Sequence, residues 1–428
     1  MSAEHSLHLA VALDGAGWHP GAWRTTPALS SGLFDPDYWT DLAREAERGL
    51  LDLVTFEDRF APTRPEDGDR DDVVAGVLDA SLVASRVAAR TDRIGLVPTV
   101  LAPHTEPFHV AKALASLDYA SRGRGGWEVT VSTGAPQAKL FGRKAAQDDE
   151  SLWAEADDAI EVVTRLWDSW EDDAEIRDIP TGRFIDRDKL HYIDFVGDHF
   201  SVKGPSITPR PPQGQLPIVV RWNGSPSSAV AAARADVVRI AATDAESARA
   251  QRESIRHRLV DIGRRADDVS VLVDVEVHLA DIRAAAVDEV RQLESWAGQP
   301  FPAESLRFVG SAGELAEFLE HIPADGVVLR PLAAPAAVAQ LATAQQFRST
   351  RAATTYDCDP SAALQVRSQT FTVCAPEDAG VKCTCGASSA SVSMRLIGPA
   401  PHGPPGRHDP AAESTPRRRV PRGARAPS

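Results

Sequence analysis

Cysteine is nearly absent from this chain of 428 residues, and what there is lies at one end. Cys358, Cys374, Cys383 and Cys385 all fall beyond residue 350, so the body before them cannot use a thiol nucleophile or a thiolate-bound metal. Cys383-Thr384-Cys385 is also too tight for the usual zinc clip, and no metal site is expected. No apolar run approaches the roughly 20 residues of a membrane helix. Met1-Ser2-Ala3-Glu4-His5 lacks the basic-then-apolar pattern of a signal peptide. Together these predict a cytoplasmic protein with no membrane partner. Positive charge is scarce too: the net charge is −15. Residues 351–428 hold 10 basic and 6 acidic side chains, so residues 1–350 hold 36 and 55, a balance of −19. Such a body repels phosphate backbones, which argues against nucleic acid as a partner. An anionic ligand would need local donors. Walker A and G-x-S-x-G motifs are missing, and no G-x-G-x-x-G follows the first strand.

What is present is alternation. Short apolar runs at 6–13, 51–56, 93–99, 127–132, 216–220, 235–240, 269–277 and 326–330 read as buried strands. Between them, patterns at helical spacing cover about 36–49, 71–90, 107–121, 149–170, a stretch from Ser227, 244–263, 281–296 and 312–321, with a last helix ending near Arg348. The Asp-, Gly- and Pro-rich stretch 171–215 breaks the rhythm and reads as an insertion with a small hairpin. Eight strand-then-helix units predict an α/β fold, a (β/α)8 TIM barrel with insertions, rather than an open doubly wound sheet. The barrel is assigned to 1–350. Residues 351–428, rich in Ser, Thr, Pro and Arg without periodicity, are expected to form a low-complexity, disordered tail.

In such a barrel, ligands meet the residues where strands end. Asp14 and the loop Trp18-His19-Pro20-Gly21-Ala22-Trp23-Arg24 follow the first strand, and Glu57 and Asp58 the second. Thr99 and His104 follow the third, Ser132 and Thr133 the fourth, and Asn223, Gly224 and Ser225 the fifth. Trp222-Asn223-Gly224-Ser225-Pro226-Ser227-Ser228 is an anion-site candidate, because amides at a helix start favour phosphate; a plain helix cap is the alternative. Asp58 could accept from a ligand or pair with Arg59. Thr99 could bond a ligand or backbone, and His104 and His109 could be catalytic or merely solvated. Trp18, Trp23 and Trp127 could wall a pocket or pack the core. His191, Asp194, Asp198 and His199 match no metal spacing.

Four stretches, in order, carry a resemblance. They are Gly17-Trp18-His19-Pro20-Gly21-Ala22-Trp23-Arg24; Arg44 to Asp52 running on to Glu57-Asp58; Glu106-Pro107-Phe108-His109-Val110-Ala111-Lys112 with Ala115 to Tyr119 and Gly123-Arg124-Gly125-Gly126-Trp127; and Gly204-Pro205 with Arg210 to Gly214 and Gly224-Ser225. Over about 6–348 the chain resembles luciferase-like flavin-dependent monooxygenases, in the nitrilotriacetate and dibenzothiophene-sulfone monooxygenase branch. The resemblance implies a barrel that binds reduced FMN in its mouth. The flavin is supplied by a separate NAD(P)H:flavin reductase, and O2 and reduced FMN together oxidise a small organic substrate. It places Asp58 and Thr99 against the flavin and Gly224 and Ser225 at its phosphate. A homodimer is expected as the commonest assembly.

The sequence departs from that pattern. Asp149 and Trp153 stand where His and Tyr flavin contacts are expected. Gly126-Trp127-Glu128 replaces Gly-Trp-Asn, and Arg221-Trp222-Asn223-Gly224 replaces Gln-Ala-Gly, with Arg221 a candidate extra partner for phosphate or substrate. Two alternatives therefore stand beside the monooxygenase: a deazaflavin-dependent oxidoreductase, and a flavin-binding homologue with impaired catalysis.

Overall fold

The computed structural model describes residues 7–343 apart from 27–28, 30–31 and 65–69, together with the backbone of two short paired strands, Gln365–Val366 and Gln369–Thr370. Beyond that pair, the expected tail lies outside the described residues. In chain order the body reads β1 (His8–Leu13), α1 (Pro36–Arg48), β2 (Leu53–Phe56), α2 (Ala80–Ala88), β3 (Gly95–Leu101), α3 (Pro107–Ser121), β4 (Trp127–Thr130), α4 (Ala135–Phe141) and α5 (Asp149–Trp167). The insertion follows as two antiparallel hairpins, β5 (Glu175–Asp178) with β6 (Arg183–Ile185) and β7 (Phe195–Val196) with β8 (Ser201–Val202). Then come β9 (Ile218–Arg221), α6 (Ser227–Arg234), β10 (Val237–Ile240), α7 (Ala245–Asp261), β11 (Ser270–Leu279), α8 (Arg283–Ala297), β12 (Leu306–Gly310), α9 (Ala312–Leu319), β13 (Gly326–Pro331) and α10 (Ala334–Thr343).

The order β1-β2-β3-β4-β9-β10-β11-β13 returns to β1 through parallel ladders, which closes a ring of eight strands. Side chains alternate across each strand. One set packs outward under the helices: Val11, Val54, Leu96, Val129, Val220, Val238, Val273 and Leu329. The other fills the ring: Ala10, Ala12, Leu53, Val97, Val219, Val237, Leu272 and Val328. Small alanines on β1 face larger residues on the other strands, so the interior is packed rather than hollow. Helix starts are capped as their sequences suggest. Asp35 accepts from Asp37 N ahead of Pro36, and Asp244–Ser247 and Ser311–Glu314 form reciprocal boxes.

Three elements differ from the sequence reading. The helix expected at 71–90 is only Ala80–Ala88, because the stretch before it is used elsewhere. Arg70 forks onto Asp72 (2.8 and 2.7 Å) and donates to Ala297 O, Trp23 Nε1 donates to Asp72 O, and the helix begins only where Asp79 accepts from Leu82 N. Helix α4 is not expected from the sequence; at 7 residues, about two turns, it is too short to show a period. Nor is β12, a strand outside the ring. The long β11 pairs with β10 over Ser270–Val273 and with β12 over Val275–Leu279, so it changes partner on one edge while β13 stays on the other. At the changeover, Ser305 Oγ accepts from Ala242 N (3.3 Å) and donates to Asp274 O.

Candidate active site at the barrel mouth

The carboxyl ends of the ring carry a polar layer above the apolar one. Inward-facing positions two residues above Leu53, Val97, Val219, Val237, Leu272 and Val328 are Thr55, Thr99, Arg221, Arg239, Asp274 and Arg330, joined by Glu57 and Glu128. Arg239, 1% exposed, forks onto Asp274 (3.0 and 3.1 Å), reaches Glu128 Oε2 (2.6 Å) and touches Glu57 Oε1 (3.2 Å). Arg221 donates through Nε to Glu128 Oε1 (2.8 Å) and through Nη2 to Glu57 Oε1 (2.6 Å). Removing these charges from water is costly, and mutual pairing offsets that cost. Burial pushes the Asp274 carboxyl up, but Arg239, Arg221 and Arg330 more than reverse it and hold it below its ordinary value. Burial dominates at Glu57, helped by Glu128 and opposed by Arg221, so Glu57 is raised.

Loops from the first two strands cover one side of this layer. Asp14 accepts from Arg59 Nη1 (3.1 Å) and Arg64 Nε (2.8 Å), and Arg64 Nη2 donates to Gly17 O (2.7 Å). Gly17 is required here: its φ is +140°, and a Cβ would stand 2.4 Å from Leu332 O. Arg330 stacks on Trp18, 3.6 Å from the ring centre. His19 is buried; its Nδ1 accepts from Gly21 N (3.0 Å), and burial followed by the charge of Arg307 lowers its pKa to about 4.

The predicted site residues fall into four settings. Thr99 is 2% exposed, stands opposite Glu128 in the β3–β4 ladder, and its Oγ1 has no hydrogen-bond partner among the described residues. Asp58 is half-buried; Oδ1 accepts from Arg59 N (2.7 Å) and Oδ2 from Ala80 N (3.0 Å), and burial pushes its pKa up to about 6. It therefore shapes the loop after β2 through backbone amides rather than pairing with the Arg59 guanidinium, which goes to Asp14. Gly224 and Ser225 form an exposed turn ahead of α6, with Gly224 at φ +83° and open space where its Cβ would be. The N-cap is Pro226, which has no polar side chain to cap with; Ser227, the first helical residue, instead ties the turn back on itself, its Oγ accepting from Asn223 N (3.0 Å) and donating to Gly224 O (2.9 Å). Among the described residues, none accepts from the amides of Gly224, Ser225 or Ser227. Asp149 is exposed on the first turn of α5, behind the cap Asp148, while Trp153 is 7% exposed in the core. Neither joins the polar layer.

His104, at φ +75°, stacks on Phe141 with centroids 4.9 Å apart, and Phe60 meets Phe141 at 4.5 Å. Beside them a cleft of about 210 Å³ is lined by His104, Arg143, Lys144, Glu155 and His199, among others. Trp127 is a core residue donating to Val100 O, and His109 is exposed on α3. Asp118 and Arg124 belong to the opposite end of the barrel. Asp118 accepts from Gln213 and Gly125, and Arg124 donates to the carbonyls of Ala88, Thr91, Ile94 and Ser121, so both serve the fold.

Sequence reasoning did not identify Arg239 or Asp274, and saw Glu128 only as a departure. Their signal is a lone charge at period two within an apolar strand, as in Val237-Val238-Arg239-Ile240 and Val273-Asp274-Val275-Glu276-Val277-His278. In a closed ring such positions face the interior.

A profile of the luciferase-like monooxygenases matches residues 16–347. The chain belongs to this family. It is 33% identical over 293 residues to an N-acetyl-S-(2-succino)cysteine monooxygenase of Bacillus subtilis, covering 68% of this chain and 66% of that protein. It is 33% identical over 294 residues to nitrilotriacetate monooxygenase component A of Aminobacter aminovorans, covering 67% and 65%. The match thus spans slightly less than two thirds of these relatives' own length. The fold matches DmoA from Hyphomicrobium sulfonivorans with a TM-score of 0.70 at 24% identity, over 79% of this chain and 86% of that one. Luciferase-like monooxygenases of this kind are typically flavin-dependent, and Glu128 and Arg221, two departures from the pattern, are hydrogen-bonded to each other here.

Proposed function

We propose that the chain is an FMN-dependent monooxygenase that receives reduced FMN from a separate NAD(P)H:flavin reductase and oxidises a small organic substrate with O2. The observation that carries this reading is a concentration of unsatisfied polar groups. Among the described residues, Trp18 Nε1, His19 Nε2, Thr55 Oγ1, Arg59 Nε, Thr99 Oγ1, His104 Nδ1, His278 Nδ1 and Arg330 Nε are buried without a hydrogen-bond partner and belong to residues of the ring's carboxyl half or its loops, while Arg86 Nε on α2 and Gln215 Oε1 before β9 are unpaired elsewhere. Natural proteins rarely leave so many buried donors and acceptors unpaired except where a ligand or water completes them.

The residues present fit a flavin mononucleotide. The amides of Gly224, Ser225 and Ser227 and the Ser225 hydroxyl would hold a phosphate at the start of α6, supplying the local donors that an acidic body needs. Thr99, two strands away across β4, is roughly 10 Å from that edge at the usual strand spacing. It would hydrogen-bond the ring, with Asp58 fixing the loop beside it. Reduced FMN, when bound, supplies the two electrons that let one oxygen atom of O2 enter the substrate while the other leaves as water. The chain's own task is to orient the ring and exclude bulk water, which the Phe60–His104–Phe141 cluster and the loop bearing Arg59 and Arg64 are placed to do.

The test is titration of reduced FMN under anaerobic conditions, followed by oxygen uptake on admitting air. Tight binding that weakens severalfold in Ser225→Ala and Thr99→Val is expected. Binding without oxygen uptake would mean a flavin-binding homologue lacking catalysis. Selective binding of a deazaflavin instead of FMN would replace this reading with hydride transfer.

A further inference from the structure

Arg221 is only partly used within the polar layer. Nε and Nη2 are engaged by Glu128 and Glu57, but no described residue accepts from Nη1. The side chain keeps 25% of its surface exposed, against 1% for Arg239 one strand away. Arg221 is thus the open member of the pair at this level, while Arg239, its ladder partner on β10, is sealed. Glu128, which orients it, is also the ladder partner of Thr99. A free guanidinium edge and an unpartnered hydroxyl thus flank one carboxylate, at the place where the flavin reading puts the ring.

Resting on that reading, we infer that Arg221 is the group by which this site prefers reduced flavin, an anion with its charge along the N1–C2=O edge, over the neutral oxidised ring. Two carboxylates pin the guanidinium, so it meets a developing or incoming negative charge without reorganising. They also offset part of its charge, which keeps the expected discrimination modest. A neutral amide at this position, the glutamine of the resembled family, would hydrogen-bond both redox forms alike. The exchange of Asn for Glu at 128 is then the companion change that holds an arginine in place.

The experiment compares the affinity for oxidised FMN with that for dithionite-reduced FMN under anaerobic conditions, in wild type, Arg221→Lys and Arg221→Gln. In Arg221→Gln the preference for the reduced form should fall about tenfold, equivalent to a drop of about 30 mV in the midpoint potential of bound FMN. In Arg221→Lys most of the preference should remain. Should Arg221→Gln fail to fold, the double variant Arg221→Gln/Glu128→Asn removes one charge of each sign and should show the same loss. An unchanged ratio in a folded variant overturns the inference, as does an equal loss of affinity for both forms. Either of those leaves the flavin reading standing. If the wild type binds neither form, the flavin reading itself falls and takes this inference with it.

Discussion

The two halves of the barrel interior are built on opposite principles. The lower half, from Ala10 and Leu53 around to Leu272 and Val328, is apolar and close-packed. The upper half, two residues further along the same strands, holds three guanidiniums and three carboxylates, of which Arg239, Arg330, Glu128 and Asp274 are almost fully buried and Arg221 and Glu57 partly open, with the hydroxyls of Thr55 and Thr99 unpartnered among the described residues. Only the lower one is what stability alone would select, since a buried ionic network is at best roughly neutral against well-packed apolar residues. The contrast separates the part of the ring that folds the chain from the part that can answer a ligand.

Four substitutions would break or sharpen that contrast. The largest effect is expected for Arg239→Leu, which leaves Asp274, Glu128 and Glu57 short of a counter-charge. Denaturant unfolding should show a loss of about 3–5 kcal/mol. Leu272→Ala, at the apolar level of the ring, should cost about 3 kcal/mol by the same measurement. It should leave FMN affinity per folded molecule unchanged, and weakened binding would mean the two layers are not separable. Thr99→Val should do the reverse. It removes a buried hydroxyl that the ligand-free fold does not satisfy, so stability should hold or rise by up to about 1 kcal/mol while FMN affinity falls five- to tenfold. A clear loss of stability would show that the hydroxyl serves the fold.

The smallest effect concerns pH. His19 titrates near 4 in the fold, against about 6.5 when unfolded. The folded state therefore prefers the neutral ring, and the stability this gives is complete above 6.5 and is lost as pH falls toward 4. His19→Asn keeps an acceptor for Gly21 N and cannot be protonated in this range, so its melting temperature should fall less steeply between pH 6.5 and 4. An identical slope would place the acid sensitivity elsewhere.

All eight ring strands were legible in the sequence, because each is a short apolar run set off by turn residues. Helices with a full period, such as Asp149–Trp167 and Ala245–Asp261, were legible too. Ala80–Ala88 was overextended, since residues 71–79 carry apolar spacing that tertiary bonds from Arg70, Trp23 and Asp58 redirect into a loop. Of the site, Thr99 and Gly224-Ser225 could be placed from strand ends. The partners of Arg221 could not, because ladder register decides that Glu128 stands opposite Thr99 on one side and Val219 on the other, one inward step below Arg221, and register is a long-range property. Asp149 and Trp153 were reached through resemblance alone; their positions on α5 set them apart from the charged layer.

The change of partner along β11 has a consequence for how this scaffold can vary. Above Val273 the wall between β10 and β11 is held by Ser305 and its neighbour Leu306 rather than by a continuous ladder. The segment between Gly298 and Ser305 can therefore lengthen or shorten without undoing a single rung of the ring. One seam of the cup is adjustable while its remaining staves stay fixed by backbone pairing.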